Sequence, residues 1–379
     1  MKHSLRKILS LCLILTLAAS LFTGCAGGGN SKKEKRELSV FNWGDYLDMS
    51  VLDQFEKETG IHIVYSVYET NEEMYLKLSS GGSNYDVLFP SEYMIERLIK
   101  ENRLAKLDFS RIPNYGLLSD VFKGMAYDPN NEYAVPYTWG TLGILYNDQM
   151  VDEVPTWETL WNEKYKGEII MSDSVRDAFT PALKMLGYSC NEKDPAHLNE
   201  AKELLLQQAP LVYGYYVDEA RDQMAMENAA LAVVFSGDAL EAAGLNEHMA
   251  YVVPEYSNLW VDSMVVPASA EHKDEAMEFI NFMCRTDIVL KNMLELGYST
   301  PSQDALKYLD PEQTDAAALS KLLDCTEEYA QEVLDEELLT NEILFPDESV
   351  YANCEIYLDL GEANAIYDAL WTEIKASIR

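Results

Sequence analysis

Two short segments combine aromatic rings with an acid in the manner of a binding loop. Trp43-Gly44-Asp45-Tyr46 follows an apolar run at 38–42, and Ser91-Glu92-Tyr93 follows another at 85–89. Trp and Tyr at exposed loop tips are unusual unless something packs on them. The chemistry on offer is holding rather than bond-breaking. The five histidines (His3, His62, His197, His248, His272) are isolated. There is no HExxH, no Cys/His cluster and no EF-hand loop, so no metal and no cofactor is expected. Nor is there a motif for the carboxylate acid/base pair of a glycoside hydrolase.

Charge narrows the partners. The 379 residues carry a formal net charge of -35. Positions 1–37 hold seven basic and two acidic residues, which leaves -40 on the rest. A body this acidic repels nucleic acid and disfavours phosphorylated substrates. With 48% hydrophobic and 11% aromatic residues, the chain is not disordered. The acidity itself has two readings, a solvated surface or a cationic ligand, and composition leaves both open.

The elements that must position the two loops alternate strand and helix. A strand is expected at 38–42, a helix capped by Ser50 and ended by Thr59-Gly60, and a β-branched strand at 61–68. Thr70-Asn71-Glu72-Glu73 has capping-box spacing, and Gly81-Gly82 stops the helix it opens. A third strand at 85–89 leads through Pro90-Ser91 into a helix with Met94, Ile95, Leu98 and Ile99 on one face. Such a run predicts a mostly parallel sheet with helices on both faces and ligand bound beyond the carboxyl ends of the strands. Both loops then face one crevice. A second α/β segment starts with a long Gly-punctuated strand at 136–146. Strands are expected near 168–171, 231–235, 251–254 and 263–267. Helices are expected near 175–187, 197–208, 219–228, 238–243, 273–284, 286–296 and 362–376. Residues 312–340 are acidic and helix-favouring.

Residues 1–24 read as an export signal. Lys2, Arg6 and Lys7 precede an apolar run from Ile8 to Phe22 that is too short to span a bilayer. Leu21-Phe22-Thr23-Gly24-Cys25 resembles the bacterial lipoprotein cleavage box, with Phe22 where Leu is usual. The resemblance implies that Cys25 becomes the lipidated first residue. Residues 25–37 would then be a flexible tether to the outer face of a membrane, periplasmic where an outer membrane exists. Cys12 leaves with the leader, and Cys190, Cys284, Cys325 and Cys354 cannot be paired from their spacing.

A set of motifs then occurs in order from residue 38 to 379: FNWGDY (41–46), YETNEEMYLKL (68–78), YDVLFPSEY (85–93), AVPYTWGTLGI (134–144), LWNEKYKG (160–167), WVDSMVVPASA (260–270) and GYSTP (297–301). The chain thereby resembles the polyamine-binding lipoproteins of spermidine/putrescine ABC transporters. The resemblance implies a type II periplasmic-binding-protein-like fold, two α/β lobes with ligand in the cleft between them. Residues 38–142 with 261–306 would form one lobe and 143–260 with 307–379 the other, with crossovers near 137–143, 260–266 and 301–306. It also implies a monomer that captures spermidine or putrescine and hands it to the permease subunits, with no catalytic step.

A polyamine stays protonated at neutral pH, so its site needs carboxylates for the ammonium groups and aromatic faces for the methylenes between them. Position by position, the resemblance implies Trp43, Asp45, Tyr46, Ser91, Tyr93, Asp177, Phe235, Asp238, Trp260, Asp262 and Tyr298 as ligand residues. Asp177, Asp238 and Asp262 would be the main ammonium contacts. Departures leave the choice of polyamine open. Gly44 stands for Thr or Ser, Ser174 for Asp, Asp177 for Glu, Phe235 for Trp and Tyr357 for Gln. Arg176 would position Asp177. Plainer roles exist for several residues. Asp45 can be a turn former, Asp177 a helix cap, and Tyr46 and Phe235 core aromatics. Competing functions are a secreted glycoside hydrolase or a binder of another solute, such as a sugar, iron or a cationic amino acid.

Overall fold

The computed structural model describes residues 36–81 and 84–377; the leader and Cys25 lie outside them. β1 (Glu37–Trp43) pairs in parallel with β2 (His62–Tyr68) on one side and β3 (Val87–Leu88) on the other. The connections are α1 (Met49–Thr59) and α2 (Asn71–Ser79), and α3 (Glu92–Lys100) follows β3. Gly60, at φ 71°, ends α1 as expected. Its N-cap, however, is Asp48, whose carboxylate accepts the Ser50 N–H at 2.8 Å. Thr70 caps α2 by accepting the Glu73 N–H. Glu73 reaches back one residue further than a capping box requires, to the N–H of Glu69.

The strand expected at 85–89 shrinks to two residues. Asp86 explains this, because its buried carboxylate accepts the N–H groups of Ser39, Glu271 and His272 at 2.9–3.0 Å. It fastens β1 to the start of α8 (Lys273–Met283) instead of continuing a ladder.

β4 (Ala134–Asn147) is the long strand the glycines announced, buried over almost its whole length. Its first half pairs antiparallel with β9 (Leu259–Val265), and its second half with β7 (Leu231–Phe235) and β8 (Met249–Val252). β5 (Ile169–Ser172) lies parallel to β7 and to β6 (Val212–Tyr216), a Tyr-rich strand that sequence pattern missed. The order is β2-β1-β3-β9-β4-β7-β5-β6, with β8 beside β4. Parallel pairs occur within the βα units at each end; the crossover strands β4 and β9 supply the antiparallel ones. The result is a two-lobed α/β fold. α4 (Val175–Met185), α5 (Pro195–Gln208) and α14 (Asn364–Ser377) share one core around Phe179, Leu205 and Tyr367. α6 (Glu219–Ala225) and α7 (Ser236–Leu245) pack Met224 and Ala239 around β5 and β7.

The acidic region at 312–340 is largely helical, as its composition suggests. α10 (Gln303–Leu306), α11 (Ala316–Leu323) and α12 (Glu327–Asp335) bury Leu319, Leu323, Val333 and Leu334 against Leu290 and Met293 of α9 (Thr286–Leu296). The acidic region therefore packs on α9, because those helices have an apolar face to cover and α9 offers the matching one. Past α13 (Glu348–Tyr351), the chain meets the start of β9 at Glu355. Glu355 donates its N–H to Ser257 at 2.7 Å and accepts that of Leu259 at 3.0 Å. Asp86→Ala removes the acceptor of three part-buried N–H groups at once. It is expected to lower unfolding free energy by about 2–4 kcal/mol in urea titration.

Candidate functional site

Strand alternation puts Trp260 and Asp262 on one face of β9. Opposite them on β4 stand Gly140 and Thr138. Gly140 is required there, because a Cβ would lie 2.5 Å from both the Trp260 ring and Ser236 Oγ. Phe235, at the end of β7, meets Trp260 edge-on at 6.0 Å, and Tyr298 meets it from elsewhere at 5.2 Å. Tyr46 packs on Tyr298 at 5.6 Å, and its hydroxyl pairs with that of Thr138. Trp43 donates its indole N–H to Phe89 O at 2.7 Å and leans on Tyr68. The loop after β1 and the loop after β3 thus meet. A backbone bridge between Ser91 and Asp262 joins the second loop to β9. Five of the expected aromatic residues (Trp43, Tyr46, Phe235, Trp260, Tyr298) form one continuous wall.

Asp262 sits against this wall with 5% of its surface exposed. Its Oδ1 and the Trp260 indole N–H have no hydrogen-bond partner among the described residues. Burial pushes the carboxyl up to about 7, with the Ser91 and Tyr46 hydroxyls pulling the other way. Behind it, Glu92 is fully buried and accepts the Val261 N–H at 3.1 Å, which fixes the backbone between Trp260 and Asp262. Burial pushes Glu92 up to about 8.

Acids flank the wall on two sides. On one, Asp238 lies half-buried in the first turn of α7. Burial, then Asp218 and Glu241, push it up to about 7. Asp45 is exposed in a left-handed turn (φ 43°) and raises Asp218, after burial and Glu219. Arg221 is engaged by Asp222 and Glu241.

On the other flank, Asp177 occupies the first turn of α4 and is 5% exposed. The Tyr357 hydroxyl donates to its Oδ1 at 3.0 Å and also pairs with Thr180 at 2.7 Å. Burial raises the Asp177 carboxyl; Ser174, Tyr357 and Arg176 oppose that. Arg176 lies over Tyr357 at 4.4 Å and over Tyr93 at 5.4 Å. Its guanidinium donates to the carbonyls of Leu358 and Cys190 and to Asn191. Tyr357, rather than Arg176, is therefore what holds Asp177. The Tyr93 hydroxyl donates to Glu72 at 3.0 Å, and Asn71 holds Ser91 through both its N–H and its hydroxyl.

Sequence reasoning missed Glu72, Asp218, Asn71 and Thr138, and it put Glu92 in a binding loop without making it a site residue. Glu72 and Glu92 look like ordinary first-turn helix acids, which favour the dipole and face water. Only the packing of β9 and Tyr93 against them puts them inside. Asp218 follows β6, the strand that was not recognised.

Carboxylates around edge-to-face rings suit a cation with apolar spacers. Among the described residues, no group of three or more His, Cys, Asp or Glu could hold a metal ion. Cys190, Cys284, Cys325 and Cys354 are free thiols. No helix among the described residues is long and apolar enough to cross a membrane.

The titration of the site has a sign that can be checked. Asp238 and Asp262 hold protons up to about 7 when folded and up to only about 4 when unfolded. The folded state binds the extra protons, so their contribution to stability falls as pH rises through that window. Without ligand, thermal unfolding is expected at higher temperature at about pH 5 than at about pH 8, with a smaller gap in Asp262→Asn. A midpoint that rises from about pH 5 to about pH 8 contradicts the burial of these acids.

Comparison with known proteins places this arrangement. Residues 50–321 match the family model of bacterial extracellular solute-binding proteins. A spermidine/putrescine-binding periplasmic protein of Salmonella typhimurium is 32% identical over 366 residues, 96% of this chain and 97% of that one. The crystal structure of a spermidine/putrescine ABC transporter substrate-binding protein from Streptococcus pneumoniae superposes with a TM-score of 0.72 at 36% identity. It covers 91% of this chain and 100% of that one. A lipoprotein of Treponema pallidum gives 0.72 at 26% identity, over 89% and 99%. This chain belongs to the bacterial extracellular solute-binding proteins, and among its relatives are the spermidine/putrescine-binding members of ABC transporters.

Proposed function

We propose that this protein captures a polyamine between its two lobes and delivers it to the permease subunits of an ABC importer, without catalysis. The observation that carries the reading is Asp262, an acid 5% exposed against Trp260, Tyr46 and Tyr298 with one oxygen unpartnered among the described residues. A buried carboxylate of this kind is costly until a cation meets it. The aromatic faces beside it pack methylenes and attract ammonium groups at about 0.5–2 kcal/mol each. A neutral sugar would leave the acid uncompensated. Trp43, Asp45, Ser91, Tyr93, Asp177, Phe235 and Asp238 complete the proposed ligand shell. The relatives named above support the polyamine, and the Treponema relative supports a lipid anchor at Cys25 on the outer face of the membrane.

Calorimetry with putrescine, spermidine and a neutral sugar tests the solute: heat from the sugar and none from either amine overturns the reading. Asp262→Asn sets a neutral amide against the cation and is expected to weaken amine binding about 100-fold. An unchanged affinity removes Asp262 from the site. Cys25→Ser is expected to move the protein from the membrane fraction to the soluble one, and retention on the membrane speaks against the anchor.

A further inference from the structure

Tyr93 and Tyr357 face each other from different hydrophobic cores. α3 carries Tyr93 and packs Met94, Ile95 and Leu98 with Phe41, Leu88 and Val265. Tyr357 lies on the segment that leads into α14, where Leu360 and Tyr367 pack with Phe179 and Leu205. The ground between the two cores is polar. Arg176 lies over the Tyr93 ring at 5.4 Å, and a cavity of about 20 Å³ has Glu72 and Arg97 on one side and Asn364 and Asp368 on the other. A polar seam of this kind parts readily, whereas a shared apolar core does not. A small cluster closes it. Asp359 donates its N–H to Glu96 Oε2 at 2.8 Å, and its carboxylate accepts Lys100 Nζ at 3.1 Å. Glu96 and Lys100, one turn apart on α3, pair with each other at 2.7 Å. On its own side Asp359 is fixed, because its other oxygen accepts the Gly361 N–H at 3.0 Å and its carbonyl accepts Lys193 at 3.2 Å.

On the polyamine reading above, we propose that Glu96 and Lys100, gripping Asp359, form a latch across this seam that sets how long a captured solute is retained without choosing which solute it is. Both are positioning residues. Glu96 stands about one turn from Tyr93 on α3, and Asp359 stands two residues from Tyr357, whose hydroxyl holds Asp177. Closing the latch therefore brings the Tyr93 ring and the Tyr357–Asp177 pair to the solute together. The bond from Asp359 N–H to Glu96 is the stronger half, because it is charge-assisted and its donor belongs to a residue only 7% exposed. Lys100 keeps 53% of its side chain exposed and adds little by itself. Opening the seam gives that N–H back to water, so the bond opposes release rather than entry.

The test is stopped-flow association and displacement of putrescine and of spermidine on the purified protein, read by tryptophan fluorescence. Glu96→Ala is expected to raise the dissociation rate of either amine at least about fivefold, with the association rate within about twofold. The spermidine-to-putrescine affinity ratio and the ligand-free melting temperature stay as in the wild type. Glu96→Gln keeps an acceptor for the Asp359 N–H and is expected to release solute within about twofold of the wild-type rate. A dissociation rate that moves less than about twofold in Glu96→Ala overturns the latch. So does a ligand-free melting temperature that falls by more than about 3 °C, because that marks an ordinary packing bond made with or without solute. If neither amine gives a fluorescence change or heat, the polyamine reading itself is refuted, and the latch as a control on amine release falls with it.

Discussion

The structure turns on a carboxylate taken out of water. Asp262 is held against an indole and two phenol rings, where ionisation is resisted by the loss of hydration. Everything around it either fixes that burial or limits its cost. Glu92 clamps the backbone on its N-terminal side, Asn71 sets Ser91, and Thr138 occupies the Tyr46 hydroxyl. Such a group is a poor element of stability and a good element of selectivity, because only a cation of suitable shape relieves it.

The fold supplies the approach that this burial needs. β4 and β9 run beside each other through the middle of the sheet, so residues two apart on β9 face the same side and the same opposing strand. Gly140 then lets an indole lie directly on backbone. The chain returns to the site a third time at Glu355, which is why Tyr357, more than 170 residues from Asp177 in sequence, can close its hydrogen bond.

Much of this was legible in advance, for identifiable reasons. The first strand and its loop, the end of α1 at Gly60 and the long β4 follow from alternation and glycine placement, signals internal to a short window. Motif resemblance identified Trp260 and Asp262, which the structure puts together on one face of β9. What stayed hidden depends on distant partners. Asp86 cut β3 short by binding residues 271 and 272. The helices of the acidic region pack on α9 because Leu290 and Met293 meet their apolar face. Glu72 and Glu92 carried the same local pattern as any solvated helix start. Arg176 is adjacent to Asp177 in sequence, which suggested a pairing that the tyrosine hydroxyl makes instead.

Gly237 adds a mechanical point. It opens α7 beneath Tyr298, and a Cβ there would lie 2.2–2.6 Å from three atoms of the ring. Tyr298 comes from the end of α9 and Gly237 from the β7–α7 junction, so the contact spans the two halves of the molecule. Bare backbone against a flat ring is as near as such surfaces come. One hydrogen atom in place of a methyl thus acts as the shim that sets how near the ring and the helix start can stand. Any side chain there would prop Tyr298 away from α7, and the wall of rings would open at that point.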